Sequence, residues 1–149
     1  MKLEDAVKQK TFRSESQKLR INITFTGSWV HAMAIKYLRP FGLTPQQFNI
    51  LRILRGLHPN PVSGLAIKER MLDKMSNVSR LIEKLRVKGL IERQICPNDR
   101  RAMDVTITEK GQALLTRLDA VEAQWDGQFK TLNEKDQQTL NLLLDQLRG

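Results

Sequence analysis

At Lys88–Gly89 the chain stops reading as a helix and starts reading as strands, and few folds accommodate both sides of that switch. Before it, "MSNVSRLIEKLRVKG" is an amphipathic helix with Val78, Leu81, Ile82 and Leu85 on one face. Ser76, Arg80, Glu83 and Lys84 face away from that stripe, Asn77 and Ser79 lie on its flanks, and Asp73 is the expected N-cap. Lys88 puts a cation near the last carbonyls, and Gly89 tolerates the left-handed conformation that closes a helix. Leu90 should then pack back on the helix. After the switch, "LIERQI" and "MDVTIT" are the only good strand candidates. Met103, Val105 and Ile107 alternate with polar residues and should anchor the second strand, while Pro97, Asn98 and Asp99 supply the turn. Arg100 and Arg101 stand where turn becomes strand. Upstream, "VSGLAIKERM" is a short helix capped by Ser63, with Leu65, Ala66, Ile67 and Met71 inward, and "LDK" is a tight turn. Short helix, turn, amphipathic helix and hairpin together describe a helix-turn-helix with a wing.

Helices flank this unit on both sides. Residues 15–38 carry Leu19, Ile23, Trp29, Val30, Met33, Ala34, Tyr37 and Leu38 at helical spacing, ended by Pro40 and Gly42. Gly27 and the β-branched residues before it weaken the first half. In "LTPQQFNILRILRGL", Thr44 and Gln47 form a capping box, Pro45 suits the first helical position, and Leu43 can staple to Phe48. Phe48, Leu51, Ile53 and Leu54 make the buried stripe of that helix. "TEKGQALLTRLDAVEAQWDGQFKTL" is a long helix with Leu114, Leu118, Val121, Trp125 and Phe129 inward. Asn133 caps a last helix bearing Leu140, Leu143, Leu144 and Leu147. The expected architecture is one domain over residues 1–149, all-α with a small β-hairpin wing. A winged helix-turn-helix lobe spans 44–111, and a helical lobe is made of 1–40 and 112–149.

The charge narrows the choice of partner. The net charge is +9 and the pI about 10.1, which favours an anionic partner, either nucleic acid or a membrane surface, with nucleic acid preferred. The excess is uneven: residues 21–59 hold four basic residues and no acid, while residues 111–149 are slightly acidic. No apolar run approaches the ~20 residues needed to cross a bilayer. "MKLEDAVKQK" lacks the apolar stretch of a secretory signal, and Cys96 stands alone, so a cytoplasmic location without membrane contact is expected. Two histidines and one cysteine at unrelated spacings offer no metal site, and no catalytic motif is present, so neither enzyme activity nor a cofactor is expected.

"GLTPQQFNILRIL", "NVSRLIEKLRVKGLIER" and "NDRRAMDVTITEKG" resemble the multiple antibiotic resistance regulator (MarR) family. The resemblance covers roughly residues 15–145 and is strong across 42–115. It implies a dimeric DNA-binding transcription regulator, usually a repressor, released by a small ligand or by cysteine oxidation. It also implies that the N- and C-terminal helices build the dimer interface, which suits the apolar face of the last helix. The alternative for that face is packing within one chain.

Residue roles follow from these two readings together. Arg80 is the candidate for a bidentate contact to a guanine edge, with a phosphate contact or an ion pair along the helix as the alternative. Ser76, Asn77 and Ser79 can reach bases or phosphates, and Lys84 and Arg86 add electrostatic attraction. Lys68 and Arg70 are placed for backbone phosphates. Arg101 matches the family position that enters the minor groove, Asp99 can orient it or simply form the turn, and Arg100 suits a phosphate. Trp29, His31 and Tyr37 lie where the family's ligand cleft meets the DNA-binding lobe, and suit a small aromatic or anionic effector or else pack the dimer interface. Cys96 beside Arg93 and Arg100 is a redox-sensing alternative, although the family's peroxide sensors carry their cysteine near the N-terminus. A winged helix used for protein or RNA contact is the other alternative.

Overall fold

A computed structural model describes residues 1–96 and 99–149, and the side chains of residues 96–102 lie outside that description. The chain opens with one helical turn, α1 (Leu3–Ala6), tied to the next helix by a Lys18–Glu4 ion pair of 2.6 Å. That turn has no counterpart in the sequence reading, because four residues are too few to show a period.

Helix α2 (Glu15–Leu38) has the expected bounds and is capped by the Ser14 hydroxyl, which accepts from Gln17 N at 3.1 Å. It buries only Ala34 and Leu38 in its own chain. A 3-10 turn (Arg39–Phe41) then leads to Gly42, whose φ of 67° uses the left-handed region open to glycine. Helix α3 (Pro45–Leu57) forms both halves of its capping box: Gln47 N donates to the Thr44 hydroxyl at 3.2 Å, and Thr44 N donates to Gln47 Oε1 at 3.1 Å. Phe48, Ile50, Leu51 and Leu54 go into the core, each worth about 1.5–3 kcal/mol of burial. Ile50, absent from the expected stripe, is fully buried, and Ile53 is only partly so.

Val62–Ser63 is a strand, β1, that the sequence reading assigned to the following helix. Two residues are too short for any alternation to show. Ser63 nevertheless caps α4 (Gly64–Arg70) as expected, accepting from Ala66 N at 3.1 Å. Leu65 is 69% exposed rather than inward. Ile67 and Met71, four apart, set the buried side of α4, and Leu65 falls about 200° from Ile67.

Helix α5 (Val78–Val87) begins later than expected, with Asn77 as its cap, and its Oδ1 accepts from Arg80 N at 3.2 Å. Asp73 instead closes the preceding turn, accepting from Met75 N on its side chain at 2.9 Å and from Ser76 N on its carbonyl at 3.2 Å. Both residues are good caps, and the turn satisfies Asp73 locally before a helix can start. Gly89, with φ of 72°, ends the helix, and Leu90 N bonds back to Leu85 O at 3.1 Å while Leu90 is buried. The cation at the last carbonyls is not Lys88. Its ammonium turns away to the Gly42 carbonyl and to Gln47 Oε1, whereas Lys110 from α6 (Glu109–Asp126) donates to the Lys88 carbonyl at 2.8 Å.

Strands β2 (Ile91–Cys96) and β3 (Asp99–Ile107) pair antiparallel, and β3 also pairs with β1, giving the order β1-β3-β2. Ile91 faces Ile107, Arg93 faces Val105 and Ile95 faces Met103. Val105 and Ile107 are buried, but Met103 is 41% exposed, so it does not anchor the strand. It and the exposed Ile95 lie past the end of the core, towards the wing tip.

Thr108 caps α6, and Leu115 and Leu118 are its fully buried residues; Leu115 escaped the sequence reading. The helix stops at Asp126, short of the expected run, in a 3-10 turn (Gly127–Phe129). Arg55 pairs with Asp119 at 2.9 Å and Arg52 with Glu122, binding α3 to α6. Helix α7 (Glu134–Arg148) is capped by Asn133 as expected, yet buries no residue, and Leu140, Leu142, Leu143 and Leu147 are exposed.

Candidate nucleic-acid interface

The core determines how α5 presents itself. Val78, Ile82 and Leu85 are buried and Leu81 is partly buried, so the opposite face of a strongly amphipathic helix must look outward. Asn77, Ser79, Arg80 and Lys84 are all exposed there. Asn77 uses its carbonyl oxygen for the cap, which leaves its amide nitrogen free to donate. Ser76 departs from the expected outward placement. It is half-buried, and its hydroxyl is buried without a partner among the described residues.

Charges on this face are sorted by one carboxylate. Glu83 accepts from Arg86 at 2.7 and 3.1 Å and pairs with Arg93 of β2 at 2.9 Å. The hydrogen bond from Arg86, aided by the charges of Arg86 and Arg93, holds the Glu83 carboxyl below its ordinary range. The same contact raises the pKa of Arg86. Glu83 thereby adds a charged link between helix α5 and the wing. Arg86 is turned towards Glu83, which weakens its assignment to backbone phosphate. Arg80 has no ion pair among the described residues, so its guanidinium is open to solvent rather than neutralised along the helix.

On α4, Lys68 is exposed and Arg70 folds back to donate to the Ala66 carbonyl at 3.0 Å. For the wing, the backbone pairs Cys96 with Asp99. The turn residues Pro97 and Asn98, and the side-chain roles expected of Asp99, Arg100, Arg101 and Cys96, lie outside the described residues.

The three residues expected to line a ligand cleft do not meet. Tyr37 stacks on Trp125 with centroids 6.2 Å apart, and Trp29 packs edge-on to Phe129 at 5.8 Å. Eight residues apart on α2, they share the side that faces α6 and the turn after it. His31 lies elsewhere, in an open hollow of about 360 Å³ with Ile35, Arg39 and Thr44. A larger hollow of about 540 Å³ lies between Phe41, Lys88, Leu90, Lys110, Leu114 and Arg117. Three cations and no acid line it, with the Arg117 guanidinium 5.4 Å from the Phe41 ring centroid. The sequence does not reveal this group because its members come from three segments far apart in the chain. Among the described residues no cluster of three His, Cys, Asp or Glu could hold a metal, and no helix is long and apolar enough to cross a membrane.

A short sheet beside a two-helix turn, with an exposed polar second helix, defines a winged helix-turn-helix protein. Residues 43–103 match the family model described as the MarR family. Over that segment the chain is similar to the MarR family, whose solved structures include a transcription factor and a complex with operator DNA. A MarR transcription factor from Planctomyces limnophilus is 29% identical, superposes with a TM-score of 0.70, and aligns over 91% of this chain and 98% of its own. Mutant MarR from E. coli complexed with operator DNA shares the fold at 23% identity and a TM-score of 0.80, over 93% and 99% of the two chains. Bordetella bronchiseptica BpsR, whose DNA binding is regulated by 6-hydroxynicotinic acid, does so at 22% identity and 0.78, over 89% and 99%.

Proposed function

We propose that this chain is a transcriptional repressor that binds palindromic operator DNA as a homodimer and is released by a small aromatic or anionic ligand. The observation that carries the proposal is the outer face of α5: Asn77, Ser79, Arg80 and Lys84 stand free on a helix whose other side is locked into the core. Such a helix fits the major groove, where arginine can donate both nitrogens to guanine O6 and N7. Arg101 is assigned to the minor groove, with Asp99 orienting it, and Arg100, Lys68, Arg70 and Arg86 to phosphates; Arg86, held by Glu83, is the weakest of these. The dimer is supported by α7, which leaves four leucines exposed, and by Leu19, Ile23 and Trp29, exposed on α2. A twofold protein matches a palindrome whose half-sites lie about 10 bp or a multiple apart. The hollow lined by Lys88, Lys110 and Arg117 supports an anionic effector. The DNA complex of E. coli MarR and the ligand-regulated BpsR make both halves of the proposal consistent with proteins of the same fold.

Selection of bound sequences from a random duplex pool, followed by binding isotherms over a salt series, tests the proposal. A palindromic consensus and an affinity that falls steeply with salt are expected, because each phosphate contact releases counterions. Binding without sequence preference, or without salt dependence, would refute it.

A further inference from the structure

The turn before α5 holds two large apolar side chains out in solvent: Leu72 is 89% exposed and Met75 91%. The backbone beneath them is well tied down. Leu72 N donates to Asn49 Oδ1 of α3 at 2.9 Å, and Met75 N donates to Asp73 Oδ1 at 2.9 Å. A lone exposed apolar residue needs no explanation. Two within four residues, with exposed Lys68, Arg70, Lys74 and Arg80 outnumbering exposed Glu69 and Asp73 along the same stretch, make an apolar spot in net basic surroundings.

Those surroundings suit a polyanion, and duplex DNA offers one apolar group on its major-groove edge, the C5 methyl of thymine. Met75 lies two residues before Asn77, the cap of α5, at the end of a recognition helix that meets base edges first. Its unbranched, polarisable thioether adapts to a methyl group more easily than a branched side chain does. Leu72, tied to α3 through Asn49, lies five residues before the cap of α5 in sequence. We infer that Met75 reads thymine through its C5 methyl in each half-site and so helps to set operator specificity. The inference rests on the DNA-binding reading above. A protein partner seated on Leu72 and Met75 is the rival occupant.

The test uses the full chain and the operator obtained by selection. Each thymine is replaced in turn by deoxyuridine, which pairs identically and lacks only the methyl. Wild type should lose about three- to fivefold in affinity at one symmetric position per half-site, the size expected for one buried methyl. Met75→Ala should bind the thymine operator about as weakly as wild type binds the uracil one, and should show no further loss at that position. Leu72→Ala should keep the uracil response. Wild type indifferent to uracil at every position, or a Met75→Ala protein that still responds, would overturn the inference and leave the surface to a protein partner. Failure to bind any duplex is a separate outcome and would refute the DNA-binding reading itself.

Discussion

Gly111 sits in the first turn of α6, where a methyl group has no room. A Cβ built there would lie 2.4 Å from the Leu90 carbonyl oxygen and 2.7 Å from Ile107 Cγ1. Real Cβ atoms essentially never approach closer than 3.0 Å, so α6 or the base of the wing must move by at least about 0.6 Å. The carbonyl cannot yield freely, because it already accepts from Thr108 N at 3.1 Å. Overpacking of this kind costs about 1–3 kcal/mol, and loss of the Thr108 bond about 1 kcal/mol more. Alanine returns at most about 1 kcal/mol of helix propensity, and less in a first turn. Gly111→Ala should therefore destabilise by about 2 kcal/mol, lowering Tm by roughly 4–8 °C in a chain of this size. Gly56→Ala is the matched control: it lies in α3 with nothing within 4 Å and should raise stability slightly. Urea and thermal melts of the three proteins at one fixed protein concentration decide the matter, since self-association makes stability depend on concentration. A Gly111→Ala protein as stable as wild type would refute the close approach of α6 to Leu90.

Glu83→Gln should loosen the wing from α5. Because the Glu83 pKa is lowered, its contribution is complete above the ordinary carboxylate value of 4.5 and disappears as pH falls through the folded value. The urea midpoints of the two proteins should differ at pH 7 and draw together as pH falls below 4.5; a gap that stays constant with pH would show that the ion pairs are not its source. Arg101→Ala should weaken binding to operators with A·T flanks more than to G·C-flanked ones in electrophoretic titrations. Equal losses on both would leave Arg101 a phosphate contact. Leu140→Asp combined with Leu143→Asp should yield a folded monomer in analytical ultracentrifugation with greatly reduced operator affinity, and a persisting dimer would place the interface elsewhere.

What could be read from the sequence was whatever is decided within a few residues. The Thr44–Gln47 box and the Ser63 and Asn133 caps each join groups three positions apart, the Gly89 stop needs only one residue's backbone freedom, and all appear in the structure. The start of α5 was misplaced because Asp73 and Asn77 are equally good caps, and only the hydrogen bonding of the turn separates them. Strand β1 could not be seen, since its identity comes from pairing with β3 more than 40 residues away. Leu65 and Leu115 were misjudged for one reason: short or many-sided apolar stretches do not reveal which side meets the core until a neighbour is placed. On the candidate interface, the outward face of α5 followed directly from the helical period. The pairing of Glu83 with Arg93 and the gathering of Lys88, Lys110 and Arg117 did not, because each joins segments far apart in the chain.

The ion pairs that bind α3 to α6, Arg52–Glu122 and Arg55–Asp119, lie far in sequence from the face of α5. In the proposed dimer they would act as a ruler. The two reading heads are carried by the winged lobes, but the gap between them is set by the angle at which each lobe is braced against the long helices. Which bases are read and how far apart the half-sites lie would then be governed by different residues. A variant that shifts the α3–α6 brace could retain its half-site preference letter for letter while changing the spacing it accepts.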